Sequence, residues 1–90
     1  SYARGKFRMK GWGRIKIIHE LKSRQVSKYC IGEALKEIDE DTYMETLKTL
    51  LDKKASLILA ATTTEKVKKL TEYALSKGYE YDLVRSILLK

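Results

Sequence analysis

The stretch RIKIIHELKSRQVSKYCIGEALKEI, residues 14–38, decides the fold. Apolar residues return in it at three- and four-residue steps: Ile15, Ile17, Ile18 and Leu21 first, then Ile31, Ala34, Leu35 and Ile38, with Cys30 beside them. A stripe with that period gathers on one face of a helix, whereas a half-buried strand would alternate. Val26 is placed to dock between the two runs, and Ser27 offers a side-chain acceptor to the first amides of the second. The expectation is a helix pair over 14–25 and 28–38.

The same period extends outward. Tyr43, Leu47, Leu50, Leu51 and Ile58 predict a long helix over 42–58; Val67, Leu70, Ala74 and Leu75 predict one over 65–77; Leu83, Val84, Ile87 and Leu88 predict a last one over 81–90. Thr42 with Glu45, and Thr62 with Glu65, have capping-box spacing and so mark two helix starts. Gly78 follows Lys77 where a left-handed residue would end a helix. Gly11 and Gly13 bracket Trp12 in a break after the basic N-terminal segment, and the absence of proline leaves all these runs uninterrupted.

Comparison of the chain with itself at a shift of 53 residues sets Lys16 on Lys69, Ile17 on Leu70, Leu21 on Ala74, Ser23 on Ser76, Arg24 on Lys77, Val26 on Tyr79, Ile31 on Val84 and Leu35 on Leu88. Apolar positions fall on apolar ones and surface positions on surface ones, the mark of an internal repeat. The same shift puts the counterpart of the long helix before residue 1, so the chain is expected to open near the end of a helix whose remainder lies upstream.

Ninety residues, 43% apolar and 34% charged, are too hydrophobic for a disordered tail. The longest apolar run, Leu57 to Ala61, is far short of the roughly 20 residues that cross a bilayer, so a soluble, unexported, cytoplasmic protein is expected, with no membrane contact. Charge is striped along the chain: residues 1–28 carry nine Lys or Arg against Glu20 alone, residues 29–52 have an acidic excess, and residues 53–90 are basic again. A strongly basic end calls for an acidic partner.

Catalytic chemistry finds little to work with. His19-Glu20 opens like a zinc-protease motif, but position 23 is Ser and no second histidine exists, so His19 is read as a solvated surface residue. Cys30, the single cysteine, is read as a small buried hydrophobe. The acidic run Glu37 to Asp41 lacks the glycine of a calcium loop, and the glycines at 11 and 13 lack the third glycine and preceding strand of a nucleotide loop. No catalytic residue, metal or cofactor is expected. What remains is the basic segment, Arg4, Lys6, Arg8, Lys10, Arg14 and Lys16 around Phe7 and Trp12, a mixture suited to phosphates or to an acidic protein groove with an aromatic anchor. Phe7 and Trp12 serve equally well as core residues seating the first helix. Lys22 and Arg24 extend the basic surface, and Lys16 and Lys69 point away from the apolar stripe, so both are expected to be exposed. Arg14 falls on the apolar side of its wheel.

The order Ala3-Arg4, Lys6-Phe7-Arg8, Gly-Trp-Gly-Arg-Ile-Lys at 11–16 and Glu20-Leu21 resembles the second repeat of RecX regulatory proteins. Leu70, Ala74, Lys77-Gly78-Tyr79, Tyr81-Asp82-Leu83-Val84 and Ile87-Leu88 resemble the third, and the likeness covers nearly the whole chain. Gln25 departs from it, because the family commonly has glycine at that turn. The resemblance implies an all-α, elongated, curved array of tandem three-helix repeats with right-angle helix packing, the second repeat over 1–39 with its first helix truncated and the third over 40–90. It also implies a non-catalytic regulator that binds the RecA recombinase filament. The basic surface read above, Arg4, Lys6, Arg8, Lys10, Trp12, Arg14, Lys16, Lys22, Arg24 and Lys69, is the expected contact, on a monomer that touches DNA weakly. The alternative is direct DNA binding by a helix-turn-helix-like pair over 14–38. Glu33 and Glu37 on its second helix suit a major groove poorly.

Overall fold

The computed structural model describes residues 1–90 and contains six helices and no strand: α1 (Tyr2–Lys10), α2 (Arg14–Ser23), α3 (Lys28–Leu35), α4 (Glu40–Ala55), α5 (Thr63–Ser76) and α6 (Tyr81–Leu88). Helices α1, α2 and α3 pack on one another, as do α4, α5 and α6, and the molecule is drawn out to 45 × 24 × 21 Å. Helices α2 to α6 bury most of their predicted stripes, except that Ile15 at the start of α2 and Leu75 at the end of α5 are exposed. Ile17 and Leu21 face inward from α2, Ile31 from α3, Tyr43, Leu47 and Leu51 from α4, Leu70 and Ala74 from α5, and Val84 from α6. Ala3 and Phe7 add a stripe from α1, and Ile38 closes the core after α3.

The two triplets end their middle helices identically. After α2, the Gln25 and Val26 amides donate to the Lys22 and Leu21 carbonyls; after α5, Gly78 and Tyr79 donate to Leu75 and Ala74. Both are Schellman turns, in which a left-handed residue lets two amides reach back to the last carbonyls. Gln25 and Gly78, matched by the 53-residue shift, are both left-handed, with φ of 61° and 97°. The absence of glycine at 25 therefore leaves the turn geometry unchanged.

Several expectations are corrected. Helix α4 starts at Glu40, not at Thr42: the Asp39 carboxylate accepts both the Thr42 amide and its hydroxyl, and these bonds hold its pKa below the ordinary carboxylate value. Thr62 does cap α5, accepting the Glu65 amide, and Ser27 caps α3 through the Cys30 amide. Cys30 itself is exposed, one position off the stripe of α3 in its first turn. The shift of 53 holds for the second and third helices of each triplet but not for the first. Residues 56–62 and a longer α5 separate α4 from its partners, and the nine residues of α1 pack on α2 and α3 as the sixteen of α4 pack on α5 and α6.

The triplets meet at a backbone crossing. The Gly13 amide donates to the Lys77 carbonyl at 2.8 Å, the Ile15 amide to the Gly78 carbonyl at 2.9 Å, and the Arg14 amide to the Tyr43 hydroxyl at 2.9 Å. The turn after α5 thus supplies the acceptors that the first turn of α2 lacks, since Gly13 has no capping side chain. Tyr79 returns the bond by donating to the Gly11 carbonyl. A chain of rings, Phe7 to Tyr43 to Tyr79, runs through the middle with centroids 5.7 and 5.1 Å apart.

Candidate cationic–aromatic interface

Left-handed Gly11 ends α1 and folds Trp12 back along it, with the Trp12 amide donating to the Lys6 carbonyl. Lys6 Nζ then lies 5.0 Å from the indole centroid, and Lys16 Nζ, from the first turn of α2, lies 4.9 Å from it. One turn earlier on α1, Tyr2 takes the same Lys6 at 5.4 Å and the Arg24 guanidinium at 4.6 Å. The result is an alternating ladder: Arg24, Tyr2, Lys6, Trp12, Lys16. Each contact contributes on the order of 0.5–1 kcal/mol at a partly exposed site, enough to hold the cations in place without neutralising them. None of the three is in an ion pair, although Glu20 lies between Lys16 and Arg24 on the same face of α2. Lys77 stands at the end of the ladder, its Nζ donating to the Lys10 carbonyl at 2.9 Å.

The expected binding residues therefore divide. Lys6, Trp12, Lys16 and Arg24 come together. Arg4 and Arg8 stay exposed along α1 beside a cavity of about 180 Å³ lined also by Phe7, Glu37, Ile38, Asp39 and Thr42. Lys10 and Lys22 are exposed at the ends of α1 and α2. Lys69 is exposed but paired with Glu65 on α5, and Lys16 is half-buried with its Cβ against Gly78, so the two are not equivalent. Phe7 is core, and Trp12 is half-buried against it.

Arg14 is spent inside the molecule. Its guanidinium bridges Glu80, at 2.9 Å, and Glu40, and lies 3.9 Å over the Tyr43 ring. Burial alone would lower its pKa, but the hydrogen bonds and charges of Glu80, then Glu40, outweigh that and raise it. Tyr43 donates to Glu80 at 2.5 Å, and burial first, then Glu80, pushes its phenol well above the ordinary value. Two residues here, one in the ladder and one at its end, were not singled out as binding residues from the sequence. Tyr2 carries the signal of i,i+4 spacing to Lys6, and Lys77 that of its repeat mate Arg24.

Outside the ladder, no group of three or more His, Cys, Asp or Glu side chains is arranged to hold a metal ion, and no helix is long and apolar enough to cross a membrane.

Comparison with known proteins agrees with the six-helix arrangement. A family model described as RecX, second three-helix domain, matches residues 1–35, and one described as RecX, third three-helix domain, matches residues 41–88. "Regulatory protein RecX" of Clostridium botulinum (strain Eklund 17B / Type B) is 36% identical over 85 residues, 92% of this chain and 40% of that protein. Its namesake in Clostridium tetani is 34% identical over 92% of this chain and 39% of its own length, and that of Clostridioides difficile 26% over 87% and 37%. The chain spans about 40% of the length of these curated relatives. No solved structure matches it.

Proposed function

The chain belongs to the RecX family, and from that premise we propose that it is a non-catalytic regulator of the RecA recombinase, acting in the cytoplasm as a monomer by binding the RecA–DNA filament. In this reading residues 1–39 and 40–90 are successive repeats, and the curated relatives' name, "Regulatory protein RecX", supports a regulatory role. The observation that carries it is the ladder of Arg24, Lys6 and Lys16 on Tyr2 and Trp12: cations fixed by aromatic rings and unpaired, Arg24 exposed and the two lysines half-buried. Such an arrangement grips a polyanionic surface without first having to order its side chains, which is where long basic residues ordinarily lose affinity. Arg4, Arg8, Lys10, Lys22 and Lys69 add steering charge, while Arg14 acts by holding the two triplets together.

The test compares affinity for a RecA filament on single-stranded DNA with affinity for the bare strand. The expected result is tight, salt-sensitive binding to the filament and weak binding to the strand, with Lys6→Glu plus Lys16→Glu lowering filament affinity at least about tenfold while the helical circular-dichroism spectrum persists, at a melting temperature lowered by the lost ring contacts. Equal affinity for filament and bare strand would replace this reading with the alternative, a DNA-binding helical module without a recombinase partner, whose log-log salt slope gains roughly 0.7 per phosphate contacted.

A further inference from the structure

Residues 56–62, which join α4 to α5, hold the longest apolar run of the sequence, Leu57 to Ala61, and the fold does not consume it. Ile58 packs against the core and pins the loop, while Leu57 on one side and Leu59 on the other are 75% and 95% exposed. Connectivity does not require the segment, since residues 11–13 suffice between α1 and α2. Beyond Ile58 the backbone is also unclaimed: the amides of Leu59, Ala60 and Ala61 donate to nothing in the protein, and the carbonyls of Leu57 to Ala61 accept from nothing. Lysines flank it on both helices. Lys53, Lys66 and Lys68 are exposed and unpaired, and Lys54 is held 4.7 Å over the Tyr73 ring. Helix α5 runs from this loop to the Gly13–Gly78 crossing, about 20 Å away at 1.5 Å per residue, so the loop is separate from the ladder.

We infer that the 57–61 loop is a second docking element, which inserts Leu57 and Leu59 into an apolar cleft edged by carboxylates on a protein partner; resting on the reading above, that protein is the recombinase of the filament. Charge complementarity selects the acidic edge, because lysines at the end of α4 and the start of α5 flank the leucines on both sides in the chain. The unpaired amides and carbonyls select a protein over a lipid surface, because a partner backbone can pair them and hydrocarbon cannot. Two leucines are also too small an anchor for a bilayer, where even one fatty-acyl chain holds only marginally.

The experiment measures binding of the chain, of Leu57→Ser plus Leu59→Ser, and of Lys53→Glu plus Lys66→Glu, to RecA filaments on single-stranded DNA, to the bare strand, and to phosphatidylglycerol vesicles. The leucine variant is expected to bind filament about 10- to 100-fold more weakly than the unaltered chain, with its melting temperature and bare-strand affinity unchanged. The lysine variant is expected to lose several-fold and to depend less on salt. Filament affinity untouched by the leucine variant overturns the inference and leaves the regulator reading standing. No filament binding by the unaltered chain overturns both. Leucine-dependent sedimentation with vesicles overturns the protein partner in favour of a membrane.

Discussion

Gln25 sits at φ 61°, a conformation that costs a residue with a β-carbon roughly 1 kcal/mol. Its repeat mate Gly78 accepts φ 97° freely, and there the glycine is also needed for space, because a Cβ would come within 2.4 Å of the Lys16 Cβ. Gln25 has no hydrogen-bonded side chain, so Gln25→Gly should stabilise the protein by about 0.5–1 kcal/mol, a rise of roughly 4–8 °C per kcal/mol in melting temperature. A fall in melting temperature would mean that Gln25 is held there for some other reason. Tyr79 gives a pH dependence. Burial first, then the Glu80 charge, push its phenol up to about 12, and its neutral hydroxyl donates to the Gly11 carbonyl. Because the folded pKa is raised, this contribution is complete below about pH 10 and drains away as pH climbs from there through about 12. Tyr79→Phe should therefore cost about 1 kcal/mol at neutral pH, from the lost hydrogen bond. Its urea midpoint should then decline less steeply than that of the unaltered protein over the alkaline range.

At the scale of elements, the sequence predicted every helix from α2 to α6 because each has an apolar stripe long enough to define a period, and it misplaced features where the local signal was tied. Asp39 with Thr42, and Thr42 with Glu45, have the same three-residue spacing; the tie is broken by Ile38, whose burial brings Asp39 to the helix start. Cys30 neighbours the stripe in sequence but is turned about 100° from Ile31, which is enough to expose it. Ile58 continues the α4 stripe, so the predicted helix ran on to it, although Leu57 and Leu59 on either side find no inner surface. Two glycines inside helices carry no such ambiguity. Gly5 in α1 and Gly32 in α3 have nothing within 4 Å of where a Cβ would be, so each is only an entropic cost. Gly5→Ala and Gly32→Ala should each raise stability by about 0.5–1 kcal/mol, adding when combined because the sites share no partner. Thermal melts of the two single variants and the double check this, and destabilisation by either would point to a close contact on that face.

For the whole molecule, repeat architecture was legible at a shift of 53 residues, but what joins the repeats was not, since it depends on pairs 26 to 68 positions apart in the chain. No periodicity announces that the Lys77 and Gly78 carbonyls will cap α2, or that Arg14 will bridge Glu80 and Glu40 in place of an outside partner. The same crossing explains why the ladder has the shape it does: Lys16 is pressed against Gly78 and Lys77 reaches Lys10, so the cations of both triplets are set by one junction. Gly13 is where this can be tested. Its φ of −78° is open to any residue, so alanine there strains no backbone. Its Cβ, however, would lie 2.4 Å from the Gly78 carbonyl carbon and oxygen, and backbone cannot yield as a side-chain end can. The two triplets must separate, breaking the three bonds at the start of α2 and drawing Arg14 away from Glu80 and Glu40. Gly13→Ala should cost about 2–3 kcal/mol or more and lower the melting temperature by more than about 10 °C. Urea unfolding should also change form, from one cooperative transition to two of smaller slope, since each triplet would then expose its surface separately. A Gly13→Ala protein that melts within about 2 °C of the unaltered chain, in a single transition of unchanged slope, would show that the crossing does not unite the triplets and that the ladder's geometry has another source.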